Sequence, residues 1–454
     1  LIYEKGGFSD LEYVFKHALT QDVAYASLLQ AERRRLHALI GAAIEEVYAG
    51  RLEERAEELA YHFTRGEVWD KVVHYARLAA ERAVGLFVDG KAVEFYELAL
   101  DALGHLGETR ETARLGIDIR LGMRPPLWRA GRLEPLFARF KEAEALAARY
   151  AETERLDAIF SFLVQYYWAK GEQAEAVEYG RRCLEMAEAR ANLGLRVTGH
   201  YYLGRAYFSL GQFDAGVEQA RELIALLEGV RETERFGLSG LPYCGACALG
   251  AGSLSELGDS AGALDLIRQG ERVAFAADHL YSKMVLALAH GYVLVRHGSP
   301  GEAVAVLEPA VATCRDKNFV GQLMLGLAAL GHAYALTGRA SDGIPLAKEA
   351  VALQEKTEAF VDRANMIRAL AEAHLHAGDL ANAEATACEG LGFAERHKER
   401  GWEGWLRWVL GQVAARRGDR ASAEREFDAA QEIAEELGMR PLVEQCRVGL
   451  GQLR

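Results

Sequence analysis

The sequence predicts an all-α protein: a right-handed superhelical array of helical hairpins with a period of about 40 residues, preceded by a short β-hairpin. Three observations lead there. Gly171, Gly211, Gly258, Gly298, Gly338, Gly378 and Gly418 each stand in a short polar turn between two helical patterns, at intervals of 40, 47, 40, 40, 40 and 40 residues. Five residues past them come Ala176, Gly216, Ala263, Ala303, Gly343, Ala383 and Ala423. Seven residues further on come Cys183, Leu223, Gly270, Ala310, Ala350, Gly390 and Ala430, small in six cases of seven. Seven residues make about two helical turns, so both positions face the same way, and small side chains there let the second helix approach its neighbours closely. A fixed period of this size marks stacked hairpins, none of which can bury its apolar face alone. An aperiodic helical bundle would not space its turns so evenly.

The elements follow in order. LIYEKGGFSDLEYVF, at the start, reads as two short strands around a Gly-Gly turn. Residues 31–150 read as irregular first hairpins, with weaker small-residue pairs at Val72/Ala79, Ala92/Ala99 and Leu136/Ala143. Residues 151–454 read as the regular array, giving about ten hairpins in all. The longer interval between Gly211 and Gly258 holds ERFGLSGLPYCGACALGAG. Gly237, Gly240, Gly245, Gly250 and Gly252 make this a poor helix, so a bend or irregular pocket is expected near 229–252. By length alone the period would suit armadillo or HEAT repeats. The small residues, and Leu-Gly-x-x-Tyr in LGRAYFSLG (203–211) and LGHAYALTG (330–338), instead resemble the tetratricopeptide repeat with longer helices.

Composition excludes several classes. The chain of 454 residues is half hydrophobic and a quarter charged, as in an ordinary soluble protein. Its net charge of −13 disfavours nucleic acid as a partner. No apolar run approaches the roughly 20 residues a membrane span needs. Six scattered cysteines fit reduced thiols, and with no signal peptide visible a cytoplasmic location is expected. The chain does not begin with Met and reads as a piece of a larger protein.

Some motifs look chemical and have plainer explanations. GLFVDGKA (85–92) carries the Gly-x4-Gly-Lys of a phosphate loop, but Ala92 replaces the hydroxyl residue and helix rather than strand precedes it. Cys244 and Cys247 have redox-motif spacing without a βαβ context or a second ligand pair, so two buried or half-buried thiols are expected. His279, His290 and His297 would share one helical stripe about 16 and 10 Å apart, too far for one metal ion. His374 and His376, two apart, point to different faces. No nucleophile–base pair is evident. The expectation is a non-catalytic chain with no metal and no cofactor.

Binding in a hairpin solenoid usually lies on the concave face, lined by the first helix of each repeat. Positions 13, 10, 6 and 3 before each turn glycine select Gln165, Trp168, Tyr201, Arg205, Phe208, Tyr292, His332, Asn365, Arg368, Glu372, Trp405, Trp408 and Gln412. The position six before the glycine is mainly polar or aromatic, unlike a buried aliphatic stripe, and aromatics and Arg dominate interface energetics. Packing between helices is the competing role for Trp168, Tyr201 and Phe208, and for at least one tryptophan of GWEGWLRW (401–408). The negative charge slightly disfavours an anionic ligand, with Arg205, Arg296 and Arg368 as a local exception. A protein or peptide in the groove, a small-molecule effector, or the chain's own upstream domains are the expected partners.

FKHALTQDVAYASLL (15–29), AERRRLH (31–37), LAYHF (59–63) and LAAERA (78–83) together resemble a known family. It comprises large bacterial signalling proteins with an adenylate/guanylate cyclase domain, an AAA- or STAND-type ATPase, and a C-terminal tetratricopeptide array. RFGLSGLPYCGACA is similar to the irregular mid-array segment of that family. The resemblance implies that residues 1–30 hold the end of a winged-helix domain and a joint, with Phe15, His17, Tyr25 and Leu28 packing the wing against the first helices. It implies a regulatory sensor module controlling an attached cyclase and ATPase. Related ATPase–repeat proteins end in transcription-factor domains, so a sensor for a transcription activator, or an assembly scaffold, stands as the alternative.

Overall fold

The computed structural model describes residues 2–4, 13–15, 18–86, 88–129 and 132–453. The chain divides into two compact units, residues 1–159 and 160–454.

In the first unit, β1 (Ile2–Glu4) pairs antiparallel with β2 (Tyr13–Phe15), Tyr3 opposite Val14. The strand pair matches the reading of the opening segment; its connection lies outside the described residues. Then come α1 (Ala18–Ser27), α2 (Gln30–Val47), a 3-10 turn (Leu52–Arg55), α3 (Ala56–Gly66), α4 (Trp69–Gly85), α5 (Asp89–Gly104), α6 (Arg110–Gly122), α7 (Arg124–Arg129) and α8 (Leu133–Arg149). All three weak small-residue pairs are buried, on α4, α5 and α8. Two of them sit on consecutive helices, so they do not each mark the second helix of a separate hairpin. The phosphate-loop-like segment is the α4–α5 turn, and Ala92 is buried in the helix pair.

The second unit begins within α9 (Thr153–Lys170) and is a tetratricopeptide-like solenoid. It runs α10 (Gln173–Arg190), α11 (Leu193–Leu210), α12 (Phe213–Leu227), α13 (Pro242–Glu256), α14 (Ser260–Ala276), α15 (Leu280–Arg296) and α16 (Pro300–Asp316). It continues through α17 (Val320–Leu336), α18 (Ala340–Thr357), α19 (Arg363–His376), α20 (Leu380–His397), α21 (Arg400–Arg416), α22 (Arg420–Glu436) and α23 (Arg440–Gln452). Each of the seven turn glycines ends a first helix in the left-handed conformation, at φ between 78° and 81°. The next residue's N–H reaches back five positions, as Gln212 does to Tyr207 at 2.9 Å, which closes the helix end. Where Asp follows the glycine it caps the second helix: Asp259, Asp379 and Asp419 accept from the backbone three residues on. All fourteen of the small-residue positions are buried, as their register requires. At Gly331 and Gly343 two helices approach so closely that a side chain on Gly331 would meet the Gly343 carbonyl at 2.7 Å.

The irregular segment is shorter than its glycines suggest. The chain is non-helical from Glu228 to Leu241, but from Pro242 it is regular helix through Gly245, Gly250 and Gly252. Burial overrides propensity here: every residue of α13 is buried. The glycines make room for neighbours, since a side chain on Gly245 would lie 2.5 Å from the Tyr201 ring and one on Gly250 2.7 Å from Leu266.

The solenoid then closes on itself. The ends of α9, α11 and α13 meet the starts of α19, α21 and α23, in contacts between residues 149 to 226 apart in the chain. Phe360 N–H donates to the Ala169 carbonyl at 2.7 Å, and His397 Nδ1 lies 3.0 Å from the Gly171 carbonyl. Gly211 abuts Gly401 backbone to backbone, and Arg440 Nε donates to the Leu257 carbonyl at 2.6 Å. Trp402, fully buried, stands edge-on to Phe208 and Phe213 in this seam.

Candidate functional site

Closure turns the concave face into a partly open cavity of about 150 Å³. The first helices α9, α11, α13, α15, α17 and α19 line it, together with Asp362 just before α19. Of the thirteen groove residues read from the register, the structure brings seven to this wall: Trp168, Arg205, Phe208, Tyr292, His332, Asn365 and Arg368. The floor is aliphatic, from residues such as Val285, Leu288, Leu325 and Met366.

The other six stand elsewhere. Tyr201 lies behind Arg205, its hydroxyl accepting from Arg205 Nη2 at 2.9 Å. Glu372 is buried behind His332. Trp405 is 5% exposed and belongs to the seam, where its Nε1 donates to Glu256 at 2.8 Å and Trp408 packs edge-on against it. Gln165 and Gln412 are half-buried and do not line the cavity.

Two buried charge networks stand in and behind the wall. Glu256 has no exposed surface and accepts from Arg296 Nε at 2.7 Å, from Trp405 Nε1, and from the Tyr292 hydroxyl. Arg296 also stacks over the Trp405 ring at 4.1 Å. In the second network, His332 Nε2 lies 2.6 Å from Glu372, which also pairs with Arg368. Burial alone would raise Glu372, but the Arg368 and His332 beside it hold its carboxyl well below the usual range. Burial pushes the His332 imidazole down, against the pull of Glu372. Arg368 in turn donates to Asn365 Oδ1 at 2.9 Å from Nη2.

Arg205 differs from both. Its guanidinium lies over the Tyr201 ring at 4.4 Å and the Trp168 ring at 5.5 Å, and its buried Nε has no hydrogen-bond partner. The nearby acid on the wall, Asp362, accepts from the Ser209 hydroxyl at 3.1 Å and is raised by burial. Asp362 adopts φ 50°, a strained value for a residue that starts a helix.

The register reading passed over Glu256 and Asp362. A signal for Glu256 existed. Glu256 and Arg296 both stand two residues before a turn glycine, and His332 and Glu372 both stand six before, in successive repeats. Complementary polar groups at one register position of neighbouring repeats become side-by-side partners. Asp362 carried no such signal, because its partner Ser209 is 153 residues away across the seam.

The remaining expectations place as follows. Cys244 and Cys247 are buried free thiols, and burial pushes Cys244 up to about 12 and Cys247 higher. His279 caps α15, His290 sits 3.7 Å from Glu271, and His297 bonds Ser255 and Ser260, so the three share no site. His374 is buried 3.5 Å from Asp379. Of the residues expected to form a joint, the Tyr25 hydroxyl lies 3.0 Å from His37 Nε2 and Arg33 stacks over its ring at 5.0 Å. Leu28 is half-buried and its carbonyl accepts from Arg33 Nε. Phe15 ends β2, and His17 lies outside the described residues. Among the described residues no helix is long and apolar enough to cross a membrane.

No family model matches the chain, and no curated protein matches it by sequence. Solved structures match the fold. A Rap protein complexed with Competence and Sporulation Factor aligns with a TM-score of 0.57 at 15% identity, over 83% of this chain and 99% of that one. The Rap conjugation gene regulator of plasmid pLS20, with the Phr* peptide, aligns with a TM-score of 0.51 at 12% identity, over 80% of this chain and 96% of that one. A chain of the APC/C hetero-tetramer Cut9-Hcn1 aligns with a TM-score of 0.52 at 15% identity, over 96% of this chain and 89% of that one. At these identities the likeness is one of fold: helical-repeat solenoids.

Proposed function

We propose that this chain is a non-catalytic sensor module that takes a peptide or small effector into the interior of its solenoid and passes the binding state to an attached nucleotide cyclase and ATPase. The observation that carries the reading is the cavity itself. It is built from the first helices of six successive repeats, and it combines an apolar floor with aromatic and guanidinium side chains. Such a wall suits recognition, since aromatics and Arg are the side chains that anchor partners. The likeness in fold to solenoids solved with a factor or a peptide supports the same reading. The link to a cyclase rests on the resemblance of residues 15–83 to that family.

Closure supplies a means of signalling. A ligand that touches α9, α11 and α19 together bridges the seam, so binding strengthens one arrangement of the solenoid over a more open one. The test is capture with this chain as bait, with bound proteins and small molecules identified by mass spectrometry. A second bait carries Trp168→Ala and Phe208→Ala. A molecule retained by the wild type and lost by the folded variant supports the reading. A molecule retained equally by both places recognition outside the cavity and sinks it.

A further inference from the structure

The charges on the cavity wall do not balance locally. Arg296 is neutralised by Glu256 and Arg368 by Glu372, each through a direct ion pair. Arg205 has no ion pair among the described residues; its one hydrogen bond is to a neutral hydroxyl, and its Nε is buried without a partner. One terminal nitrogen of Arg296, Nη2, is likewise buried and unpartnered. Both side chains line the cavity. A half-buried guanidinium with no counter-ion is held at a cost, and a fold retains it when something else supplies the missing charge. Asp362 does not pair with it: no ion pair joins the two among the described residues, and Asp362 Oδ1 is engaged by the Ser209 hydroxyl.

We infer that the cavity is a receptor site for an amphiphilic monocarboxylate, whose carboxylate pairs with Arg205 and whose apolar body lies on the floor. This rests on the sensor reading and names its ligand class. One unpaired guanidinium matches one negative charge, and its fork suits a carboxylate. A phosphate dianion would bring a second charge for which the described wall holds no unpaired cation, into a chain of net charge −13. The floor of Val285, Leu288, Ala289, Leu325, Ala328 and Ala329 excludes a small hydrated anion in favour of one with a hydrocarbon body. The aromatic faces of Trp168 and Tyr201 hold the guanidinium plane in place before any ligand arrives. Such a carboxylate is either a free organic acid or the C-terminus of an apolar peptide.

The experiment uses the whole chain and two matched pairs of probes. The first is 4-phenylbutyrate against its primary amide; the second is an N-acetylated apolar tetrapeptide with a free or an amidated C-terminus. Calorimetry should show each binding acid at least about tenfold tighter than its amide, the scale of a charge-assisted hydrogen bond. The pair that binds identifies the source. Arg205→Met should weaken the acid by a similar factor while leaving the melting temperature of the unliganded chain unchanged or higher, because it removes an uncompensated charge. A merely structural Arg205 would give a lower melting temperature instead. Equal affinity for acid and amide, no binding by either acid, or undiminished acid binding by Arg205→Met overturns the inference. The acid–amide contrast on the wild type decides the matter should the variant fail to fold. A peptide bound equally as acid and amide, yet lost on Trp168→Ala, would remove the carboxylate site and leave the sensor reading standing.

Discussion

The inner and outer helices of the second unit are built on different rules. All fifteen residues of α13, on the inner ring, are buried, whereas α14 behind it buries only Ala263, Ile267, Gly270, Val273 and Ala274 of its seventeen. The outer helix is amphipathic, with one small-residue stripe against its neighbours and a solvated face opposite. The inner helices α11, α13, α17, α19 and α21 bury more than half of their residues, while α15, on the cavity wall, buries six of seventeen. Polar groups on the inner ring therefore sit where water cannot satisfy them. Some find partners in other repeats, as Glu256 does in Arg296 and Trp405, and others, such as Arg205 Nε, Ser253 Oγ and Trp402 Nε1, have none.

The largest effect expected from this difference is at Glu256. It holds three donors with no access to solvent. Glu256→Ala strands the Arg296 charge and should cost about 3–5 kcal/mol in chemical denaturation. An outer pair such as Arg268–Asp265, exposed on both sides, should cost less than about 1 kcal/mol when broken. Similar losses at the two sites would erase the distinction between the rings.

Next in size is the contrast between two turn glycines with the same backbone. Gly211 and Gly338 have φ 80° and 81°. A side chain on Gly211 would lie 2.5 Å from the Gly401 nitrogen, whereas nothing lies within 4 Å at Gly338. Gly338→Ala should cost about 1 kcal/mol from its positive φ alone. Gly211→Ala adds overpacking of the seam and should cost about 2–4 kcal/mol. Equal costs in paired thermal melts would argue that the seam does not hold the unit together.

Smaller, and of opposite sign, is Glu399 at the start of α21. It is fully buried, neither carboxyl oxygen has a hydrogen-bond partner, and burial together with the nearby Asp362 raises it well above the ordinary value. A raised carboxyl costs nothing below its unfolded value near 4.3 and increasingly destabilises the fold as pH rises above that. Glu399→Gln should therefore melt higher than the wild type, by about 2 °C or more, with a gap that widens from pH 4 to pH 7. A gap that narrows with pH would reverse the assignment. The smallest perturbation is chemical: Cys388 is the one exposed thiol of six, so a maleimide should label one site in the native chain and the rest only in denaturant.

The outer ring was legible in the sequence because one-sided burial leaves a pattern. Ala176 to Ala423 and Cys183 to Ala430 fix the second helices, and the turn glycines fix the repeat. The inner ring was legible only through register counted from those glycines, which selects Trp168, Arg205, Tyr292 and His332, all on the cavity wall. It misplaced Trp405, because a tryptophan packed in the seam and one facing a groove occupy the same register position. It overestimated the irregular stretch before Glu256, because propensity penalises glycines that packing requires. Closure itself left no local trace. Phe360 and Ala169, or Gly211 and Gly401, belong to different repeats with nothing in their neighbourhoods to pair them, and their contact follows from the superhelical path of the whole array.

That closure underlies the cavity, the buried charges and the signalling route, and the Phe360 amide reports it most directly. Phe360 lies in the turn before α19, outside any helix, and its N–H is bonded to the Ala169 carbonyl across the seam at 2.7 Å. Residue-resolved hydrogen exchange should show this amide protected to the level of the buried α19 helix, with the protection lost in Gly211→Val. Exchange of the wild-type Phe360 amide at the rate of an exposed turn would show that the solenoid is open at this point, and the interior site would fall with it.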